Sequence, residues 1–457
     1  MRLTKPTAPD PVTLDMVPQP LEGYAHQLFY TPGQTVLFHL KALQHGNRLV
    51  LQRRTATETW ELVTEHSFGE IVKPETLEDA QQGCHWSVGW EYALPHNQPQ
   101  GYYRALLVNE AFNLSSETHF IVGSAQPISK VAVLAPVTTW QAYNAYGGHS
   151  LYRNAVAAES VSFVSTLRPN TALTYHRSSS HQHDLRLESH IYHWFAEHYQ
   201  ADLLPDYWLE KHPERMDSYQ VLVLSYHAEY FSEAMFQTLQ NLVLQQNKSL
   251  LSLGGNQVYW QVRWHQNFTQ VECPKNGSFF QNSPKRGGLW RHTSTPESLL
   301  LGAHFTEAGI NTYAPYQVIE ASHWLFENYE VKNGDIFGQA GIDGLPICGD
   351  ETDKTTWSSP ENTVVLARGL NKATATSDVE VYKQEDNAWD STGGGEMTIT
   401  ELSKQHAVLA TGSIQSGSGL SVDKVFTQMI GNFMRRYVHS AIDDTTSGTS
   451  AKARVSE

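Results

Sequence analysis

Two short apolar runs in the middle of the chain each end in reactive polar residues. Val221 to Leu224 is followed by Ser225-Tyr-His-Ala-Glu-Tyr230, and Ser249 to Leu253 is followed by Gly254-Gly-Asn256. Short, largely apolar runs that end at polar or glycine residues are typical of strands buried on both faces of a parallel sheet. The segment between them, Ser232 to Gln246, carries its apolar residues at helical spacing. The pattern therefore predicts a β-α-β unit.

This unit also predicts where a ligand would bind. In an open α/β sheet the binding crevice lies outside the carboxyl ends of the parallel strands. His227, Glu229 and Asn256 come directly after the two predicted strands, so we expect them to share one crevice. A third apolar run, Val131 to Ala135, precedes a polar segment that would face the same crevice and contains Tyr143, Tyr146, Gly147, Gly148, His149 and Tyr152.

The hydrophobic pattern changes near residue 125. Before it lie short strand-like segments separated by turn-forming residues, and this spacing predicts an immunoglobulin-like β-sandwich over residues 1–125. The segments are Thr35–Lys41, Arg48–Arg53, Gly101–Val108 and Thr118–Val122. Residues 126–440 alternate strand, loop and helix, which predicts an α/β domain with a parallel sheet and insertions. Residues 441–457 are rich in Ser, Thr and Ala and are predicted to form a flexible tail. The fold class expected is multidomain α+β.

Length and composition limit the classes of binding partner and the cellular location expected for this protein. The chain has 457 residues, enough for two or three domains. Its formal charge of −15 argues against nucleic acid and anionic membrane surfaces as partners. The first six residues lack the apolar core of a signal peptide, and no apolar run has membrane length. Three cysteines are too few and too scattered for a disulfide framework or a zinc cluster. A cytoplasmic protein is expected.

The tyrosines of the polar segment suggest a metal site. A phenolate is a hard, anionic oxygen ligand, and two phenolates with a carboxylate suit a hard trivalent cation such as ferric iron better than zinc. In the alternative interpretation the tyrosines pack the loop and bond their hydroxyls to backbone. Spacing alone favours that alternative.

Four strings of residues together resemble the large (beta) subunit of N,N-dimethylformamidase and its homologues. They are Thr139-Trp-Gln-Ala-Tyr-Asn144, Ser150-Leu-Tyr152, Tyr226-His-Ala-Glu-Tyr230 and Leu253-Gly-Gly-Asn-Gln-Val-Tyr-Trp260. The resemblance covers roughly residues 130–437. It implies a glutamine-amidotransferase-like α/β domain and a mononuclear ferric iron, Fe(III), held by two tyrosines and one glutamate.

Carried over by motif, the iron ligands would be Tyr143, Tyr152 and Glu229. His227 and Asn256 match polar residues that line the family's iron pocket, and both are assigned to catalysis. Glu351, in the string Cys348-Gly-Asp-Glu-Thr-Asp353, matches a later segment of the family and would be a catalytic carboxylate. Its neighbours Asp350 and Asp353 remain alternatives for that role.

Two departures from the family bear on the substrate. The loop to Tyr152 is shorter than in the dimethylformamide-cleaving enzymes and carries the pair Gly147-Gly148. The reference enzyme also has a small second subunit, and nothing in this chain replaces it. A homo-oligomer is expected, and the resemblance leaves room for a small partner subunit.

The chemistry of amide hydrolysis fits these residues. It needs an activated water, a polarised carbonyl and a proton for the leaving amine. A ferric ion polarises carbonyls and lowers the pKa of water, and Glu351 would transfer the proton. Asn256 and His227 would stabilise the oxyanion. The expected substrate is a small N-substituted amide, hydrolysed to a carboxylic acid and an amine without nucleotide or organic cofactor. The aromatics predicted to contact its alkyl groups are Trp140, Tyr146, Tyr226, Tyr230, Tyr259 and Trp260.

Each candidate residue also has a structural interpretation. His227 could bond a core carbonyl, Asn256 could be a turn residue in the left-handed region, and Glu351 could belong to a solvated acidic loop. The histidine-rich stretch from His176 to His198 is expected to be solvated or to line the crevice rim. A nucleophilic role for Cys348 lacks the Cys-His-Asn pattern that would support it.

Two other functional classes stay open. A non-catalytic carbohydrate-binding or scaffold protein would account for the sandwich, the tryptophans and the acidic surface. Another hydrolase or sugar-metabolising enzyme on an amidotransferase-like domain would account for the α/β pattern. Bound iron and its colour would separate the amidohydrolase from both.

Overall fold

The computed structural model describes residues 19–71, 80–151, 162–176, 182–273, 288–306, 311–371 and 394–438. Over these residues the chain is mixed α+β, with several sheets and with fewer helices than strands. None of the helices among these residues is long and apolar enough to cross a membrane.

Eight strands of the described N-terminal residues form two sheets around one core. These strands are β1 (Leu21–Ala25), β2 (Phe29–Tyr30), β3 (Thr35–Ala42), β4 (Asn47–Arg54), β5 (Trp60–Phe68), β6 (Val88–Ala93), β7 (Gly101–Asn109) and β8 (Leu114–Val122). The orders are β1-β3-β6 and β2-β8-β7-β4-β5. Alternate residues such as Val36, Phe38, Leu49 and Leu107 point into the shared core, because successive side chains of a strand face opposite sides. The predicted strands are confirmed; the immunoglobulin likeness and the domain bounds stay predictions.

The strands and helices that follow surround a larger core. The strands of this described part are β9 (Val131–Ala135), β10 (Phe163–Ser165), β11 (Leu173–Thr174), β12 (His183–Asp184), β13 (Asp202–Pro205), β14 (Val221–Tyr226), β15 (Tyr230–Ser232), β16 (Ser249–Gly254), β17 (Trp260–His265), β18 (Gln270–Glu272), β19 (His304–Thr306), β20 (Tyr313–Ala314), β21 (Tyr316–Val318), β22 (Ile336–Phe337), β23 (Cys348–Gly349), β24 (Thr352–Lys354), β25 (Thr363–Gly369), β26 (Glu396–Glu401) and β27 (Ala407–Ala410). The helices are α1 (Val137–Tyr143), α2 (Leu185–Tyr199), α3 (Trp208–Lys211), α4 (Glu233–Leu244), α5 (Ser298–Leu301) and α6 (Lys424–Tyr437).

The predicted β-α-β unit is confirmed as β14, α4 and β16, whose strands pair in parallel. They belong to a nine-stranded sheet in the order β13-β9-β14-β16-β27-β26-β25-β21-β22. The pairs from β13 to β27 are parallel, and the pairs from β27 to β22 are antiparallel. The expectation of a parallel sheet therefore holds for one half only. The connection from Glu401 to Ala407 is too short for a parallel crossover, which takes about a dozen residues.

The strand order predicts a binding crevice between β9 and β14. The chain passes from β9 to β13 on one side and later returns to β14 on the other side of β9. A reversal of this kind separates the loops at the carboxyl ends of the two strands and opens a binding crevice there. A smaller sheet, β10-β18-β17-β15, lies next to it, since β15 begins one residue after Glu229.

The histidine-rich stretch differs from its prediction at His183. This residue is buried, and its Nε2 lies 2.5 Å from the carboxylate of the fully buried Glu188. The same carboxylate accepts hydrogen bonds from Tyr102 of β7 and Trp140 of α1. The expectation of a solvated stretch was wrong here, because Glu188 provides His183 with a buried partner that spacing along the chain does not reveal.

Candidate active site

Tyr143 is the last residue of α1, the helix that follows β9. The first turn of α1 is held by the buried carboxylate of Asp206, which accepts hydrogen bonds from the Thr138 backbone N–H and hydroxyl. A carboxylate at this position satisfies otherwise unpaired N–H groups at a helix start. Every residue of α1 is buried, and Tyr143 keeps 8% exposure at the edge of the crevice.

His227 and Glu229 lie on the turn between β14 and β15. The turn begins at Tyr226, which adopts the left-handed conformation with φ of 57°. The Glu229 N–H donates to the Thr139 hydroxyl at 3.0 Å, and the Glu229 carbonyl accepts from Tyr259. Helix α1 therefore fixes the backbone of Glu229 while it also carries Tyr143.

Three polar side chains converge in this crevice. The Tyr143 hydroxyl donates to Glu229 Oε2 at 2.9 Å and lies 3.1 Å from His227 Nε2. His227 Nε2 lies 3.3 Å from the same Glu229 oxygen. All three residues are nearly buried. The Tyr143 hydroxyl thus contacts two side chains, whereas the alternative interpretation expected a bond to backbone.

The orientation of the His227 ring is fixed by a hydrogen bond to the backbone of Gly255. Its Nδ1–H donates a hydrogen bond to the Gly255 carbonyl at 3.0 Å, which leaves Nε2 facing the crevice. The structural interpretation, a bond to a core carbonyl, therefore describes Nδ1, while Nε2 lies near Glu229 and Glu351. The catalytic role of His227 stays a prediction. Burial disfavours the imidazolium, but the hydrogen bond to Glu229 and the charge of Glu351 outweigh it and raise the pKa of His227 to about 9.

Asn256 links β16 to the segment around Glu351. Its φ of 49° is left-handed, as expected for a turn residue after two glycines. The backbone N–H donates to Asp353 Oδ1 at 2.7 Å, and the side-chain Nδ2 donates to Glu351 Oε2 at 2.8 Å. Asn256 Oδ1 is buried and has no hydrogen-bond partner among the described residues. Two carboxylates thus hold one asparagine at the crevice.

The acidic segment is packed and not solvated. Asp350 and Asp353 are each 4% exposed, while the Glu351 side chain keeps 18%. Burial, with the charges of Glu229 and Asp350, raises the pKa of Glu351 to about 7 against the charge of His227. Glu351 Oε2 lies 3.8 Å from His227 Nε2. Among these three acids, Glu351 is the one that combines exposure with contacts to both His227 and Asn256.

Gly255 allows the two segments to approach. A Cβ at this position would lie 2.7 Å from the Glu351 carbonyl oxygen and 2.7 Å from the Ile414 nitrogen, both backbone atoms. We expect Gly255→Ala to lower the free energy of unfolding by about 1 to 3 kcal/mol, because backbone cannot yield as a flexible side chain can. Urea denaturation measures this.

The matched control for that substitution is Gly431→Ala. Gly431 lies inside α6, and a Cβ there meets no atom within 4 Å. This change should raise stability by about 0.5 to 1 kcal/mol, as alanine does in a helix interior. Equal effects of the two substitutions would contradict the close approach at Gly255.

Residues 46–430 match the family described as N,N-dimethylformamidase beta subunit-like, C-terminal. The chain belongs to this family. A search of curated proteins found no match.

One solved structure with some similarity is a family 123 glycoside hydrolase from Clostridium perfringens, at 9% identity and a TM-score of 0.12. The match covers 55% of this chain and 48% of that one, so it spans about half of that structure's length. A TM-score this low carries no argument about the fold or the function.

Within the dimethylformamidase-like family, the expected metal site can be compared with the residues present. Among the described residues, no group of three or more His, Cys, Asp and Glu is arranged to hold a metal ion. Tyr143 and Glu229 supply two hard oxygen donors 2.9 Å apart, which suits a hard cation. Tyr152 lies outside the described residues, and its assignment stays a prediction.

The aromatic residues predicted to contact the substrate lie in different surroundings. Tyr230, Tyr259 and Trp260 pack in one apolar cluster with Tyr143. Trp140 instead donates to Glu188, and Tyr146 donates to Glu22 of the N-terminal sandwich. Each of these two side chains directs its polar atom to a buried carboxylate, and contact of the six aromatic residues with substrate stays a prediction.

Several residues that shape the site were not singled out in the sequence. Thr139 orients Glu229, and Asp206 holds the start of α1. Asp206, which follows directly after the buried strand β13, was a usable signal, because carboxylates commonly stabilise helix starts. Cys348, in contrast, is fully buried, and burial raises the pKa of its thiol to about 12, which makes it a poor nucleophile.

Proposed function

We propose that this protein is an iron-dependent amidohydrolase that cleaves a small N-substituted amide into a carboxylic acid and an amine. The observation that supports it is the convergence of Tyr143, His227 and Glu229 in one crevice, with Glu351 joined to it through His227 and Asn256. Family membership supports the same reaction class.

The oxygen donors around the crevice support a hard cation as the bound group. Glu229, Glu351 and Asp353 are carboxylates, and His227 contacts the first two. Oxygen ligands of this kind suit a hard ion. The ligands we propose for ferric iron are Tyr143, Tyr152 and Glu229.

The position of Leu151 supports Tyr152 as the second tyrosine ligand. Leu151 is fully buried, and its backbone N–H donates to the Ala142 carbonyl at 3.0 Å. Ala142 immediately precedes Tyr143, and Leu151 immediately precedes Tyr152. The chain therefore returns to the end of α1 at the residue before the proposed ligand.

When bound, ferric iron would supply Lewis-acid polarisation of the amide carbonyl and of water. Glu351 would accept a proton from the water as its oxygen forms a bond to the carbonyl carbon. It would then donate that proton to the nitrogen as the C–N bond breaks, which releases the amine. A single carboxylate in both roles balances the protons over the cycle.

Asn256 and His227 would act beside Glu351. One Asn256 N–H bond already orients Glu351 Oε2, and the second N–H of the same amide remains to donate to an oxyanion. His227 is held by Gly255 so that Nε2 faces Glu229 and Glu351. Preorganised donors of this kind stabilise the charge that develops in the transition state.

The test combines metal content with a panel of amides. We expect the purified protein to hold about one iron per chain, because phenolate and carboxylate oxygens suit hard ions. Charge transfer from phenolate to ferric iron should make it yellow-brown. Iron-loaded protein should release amine from some member of a panel of formamides, acetamides and bulkier N-alkyl amides. The control is the same preparation stripped by a chelator and then reloaded, which should lose and regain both colour and activity.

The opposite result would change the class of protein. Colourless, metal-free protein that releases no amine after loading with iron would reject the amidohydrolase and favour the scaffold or carbohydrate-binding alternative. Iron without amine release from any amide would reject the reaction and retain the metal site.

A further inference from the structure

The segment that follows Tyr143 is joined to the N-terminal sandwich by a buried polar contact. Tyr146 begins a tight turn with Gly147 and Gly148, whose φ values of 79° and 86° favour glycine. Its hydroxyl donates to Glu22 Oε2 at 2.8 Å. Glu22 lies on β1, so the contact joins residues 124 apart in the sequence.

Glu22 is paired in turn with Lys41 of β3. The two side chains are only 7% and 4% exposed. Around them, Tyr146 packs with Tyr24 and Trp86, and the Lys41 ammonium lies 5.0 Å from the centre of the Trp86 ring. We call Tyr146, Glu22 and Lys41 the sandwich latch.

The other side of the same segment is held by Arg168. Its guanidinium donates to the backbone carbonyls of Asn144, Tyr146 and His149, and Arg168 is only 2% exposed. Because Leu151 returns to Ala142, residues 144–151 form a loop closed at its base. The latch therefore holds the middle of a loop whose ends adjoin both proposed tyrosine ligands.

A stability role alone explains the latch poorly. A buried ion pair costs much of its Coulomb energy in desolvation, and apolar replacements are often as stable. What such a pair does provide is a fixed position for a group that bonds to it. Here that group is the Tyr146 hydroxyl, three residues after Tyr143.

We propose that the sandwich latch positions the tyrosine loop for metal binding, so that the N-terminal sandwich sets the affinity of the site for iron. Tyr146, Glu22 and Lys41 are positioning residues and touch no substrate. The inference rests on the proposed iron site. Changes to groups that orient metal ligands typically cost about 10- to 100-fold in metal affinity, and an effect of that size is expected here.

The first test is Tyr146→Phe in the full-length protein, with Tyr103→Phe as its matched control. Both remove one phenol hydroxyl from a buried tyrosine, and Tyr103 bonds to Pro99 and Gln98 within the sandwich. Competition with an iron chelator, followed by the visible absorption band, measures iron affinity without an activity assay. Tyr146→Phe should weaken iron binding by about 10- to 100-fold, and Tyr103→Phe should leave it unchanged.

A second variant tests the same contact in case the first variant does not fold. The pair Glu22→Leu with Lys41→Met replaces the buried charges by apolar groups and removes the acceptor of the Tyr146 hydroxyl. It should weaken iron binding by the same factor as Tyr146→Phe. Combining all three substitutions should cause no further loss, because they break one contact.

The outcomes separate the two proposals. Wild-type protein that binds no iron would overturn the proposed function. Wild-type protein that binds iron, with every latch variant binding as tightly, would overturn the latch and leave the iron site standing. Equal losses in Tyr146→Phe and Tyr103→Phe would also overturn the latch, since a general loss of packing would then account for the change.

Discussion

Tyr143→Phe is expected to give a folded protein that no longer retains iron. The substitution keeps the ring, which packs with Tyr230 and Trp260, and removes the oxygen that lies 2.9 Å from Glu229. Loss of a direct ligand should exceed the roughly 100-fold that changes around ligands produce. Glu229→Gln should have the same effect by removing the anionic ligand at nearly constant shape. Both variants should be colourless and inactive.

Iron content, the visible absorption band and the free energy of unfolding together check this result. The control is Tyr219→Phe, which removes a buried hydroxyl that donates to Asp202 outside the crevice. It should keep its iron and its colour. Full iron occupancy in both Tyr143→Phe and Glu229→Gln would refute the ligand assignment.

Glu351→Gln should separate metal binding from catalysis. Glu351 Oε2 bonds to Asn256 and faces His227, and a glutamine can still present an oxygen to Asn256. The iron should therefore remain, while kcat falls by about 100- to 10,000-fold because the group that transfers the proton is gone. Iron content and steady-state rates on the same preparation measure both effects.

The neighbouring acids provide the comparison. Asp353 accepts a hydrogen bond from the backbone N–H of Asn256. Asp353→Asn should therefore shift Asn256 and have a smaller effect on proton transfer. Asp350→Asn tests the remaining acid. If Glu351→Gln keeps the wild-type rate while one of these two variants loses it, the base is that residue instead.

Some features of the chain followed from local pattern. The strands β9, β14 and β16 lie where the largely apolar runs placed them, because burial on both faces leaves room for few polar side chains, such as the buried Ser252. Chain order then placed His227, Glu229 and Asn256 after the strand ends. The structure joins all three to one crevice, because parallel strands end at the same edge.

Other features depended on contacts between distant residues. Tyr143 meets Glu229 across 86 residues, Asn256 meets Asp353 across 97, and Tyr146 meets Glu22 across 124. No spacing along the chain encodes such a pair, since either partner alone is compatible with a solvated or a turn position. The antiparallel half of the sheet and the burial of His183 were decided in the same way.

The sequence by itself thus determined the strand ends and the polar residues that follow them, because hydrophobic periodicity is a local property. Only the tertiary structure decided which carboxylate each of those residues contacts. A buried polar group must find a partner, and the nearest one in space is set by packing. That is why Trp140 and Tyr146, expected beside the substrate, direct their polar atoms to Glu188 and Glu22.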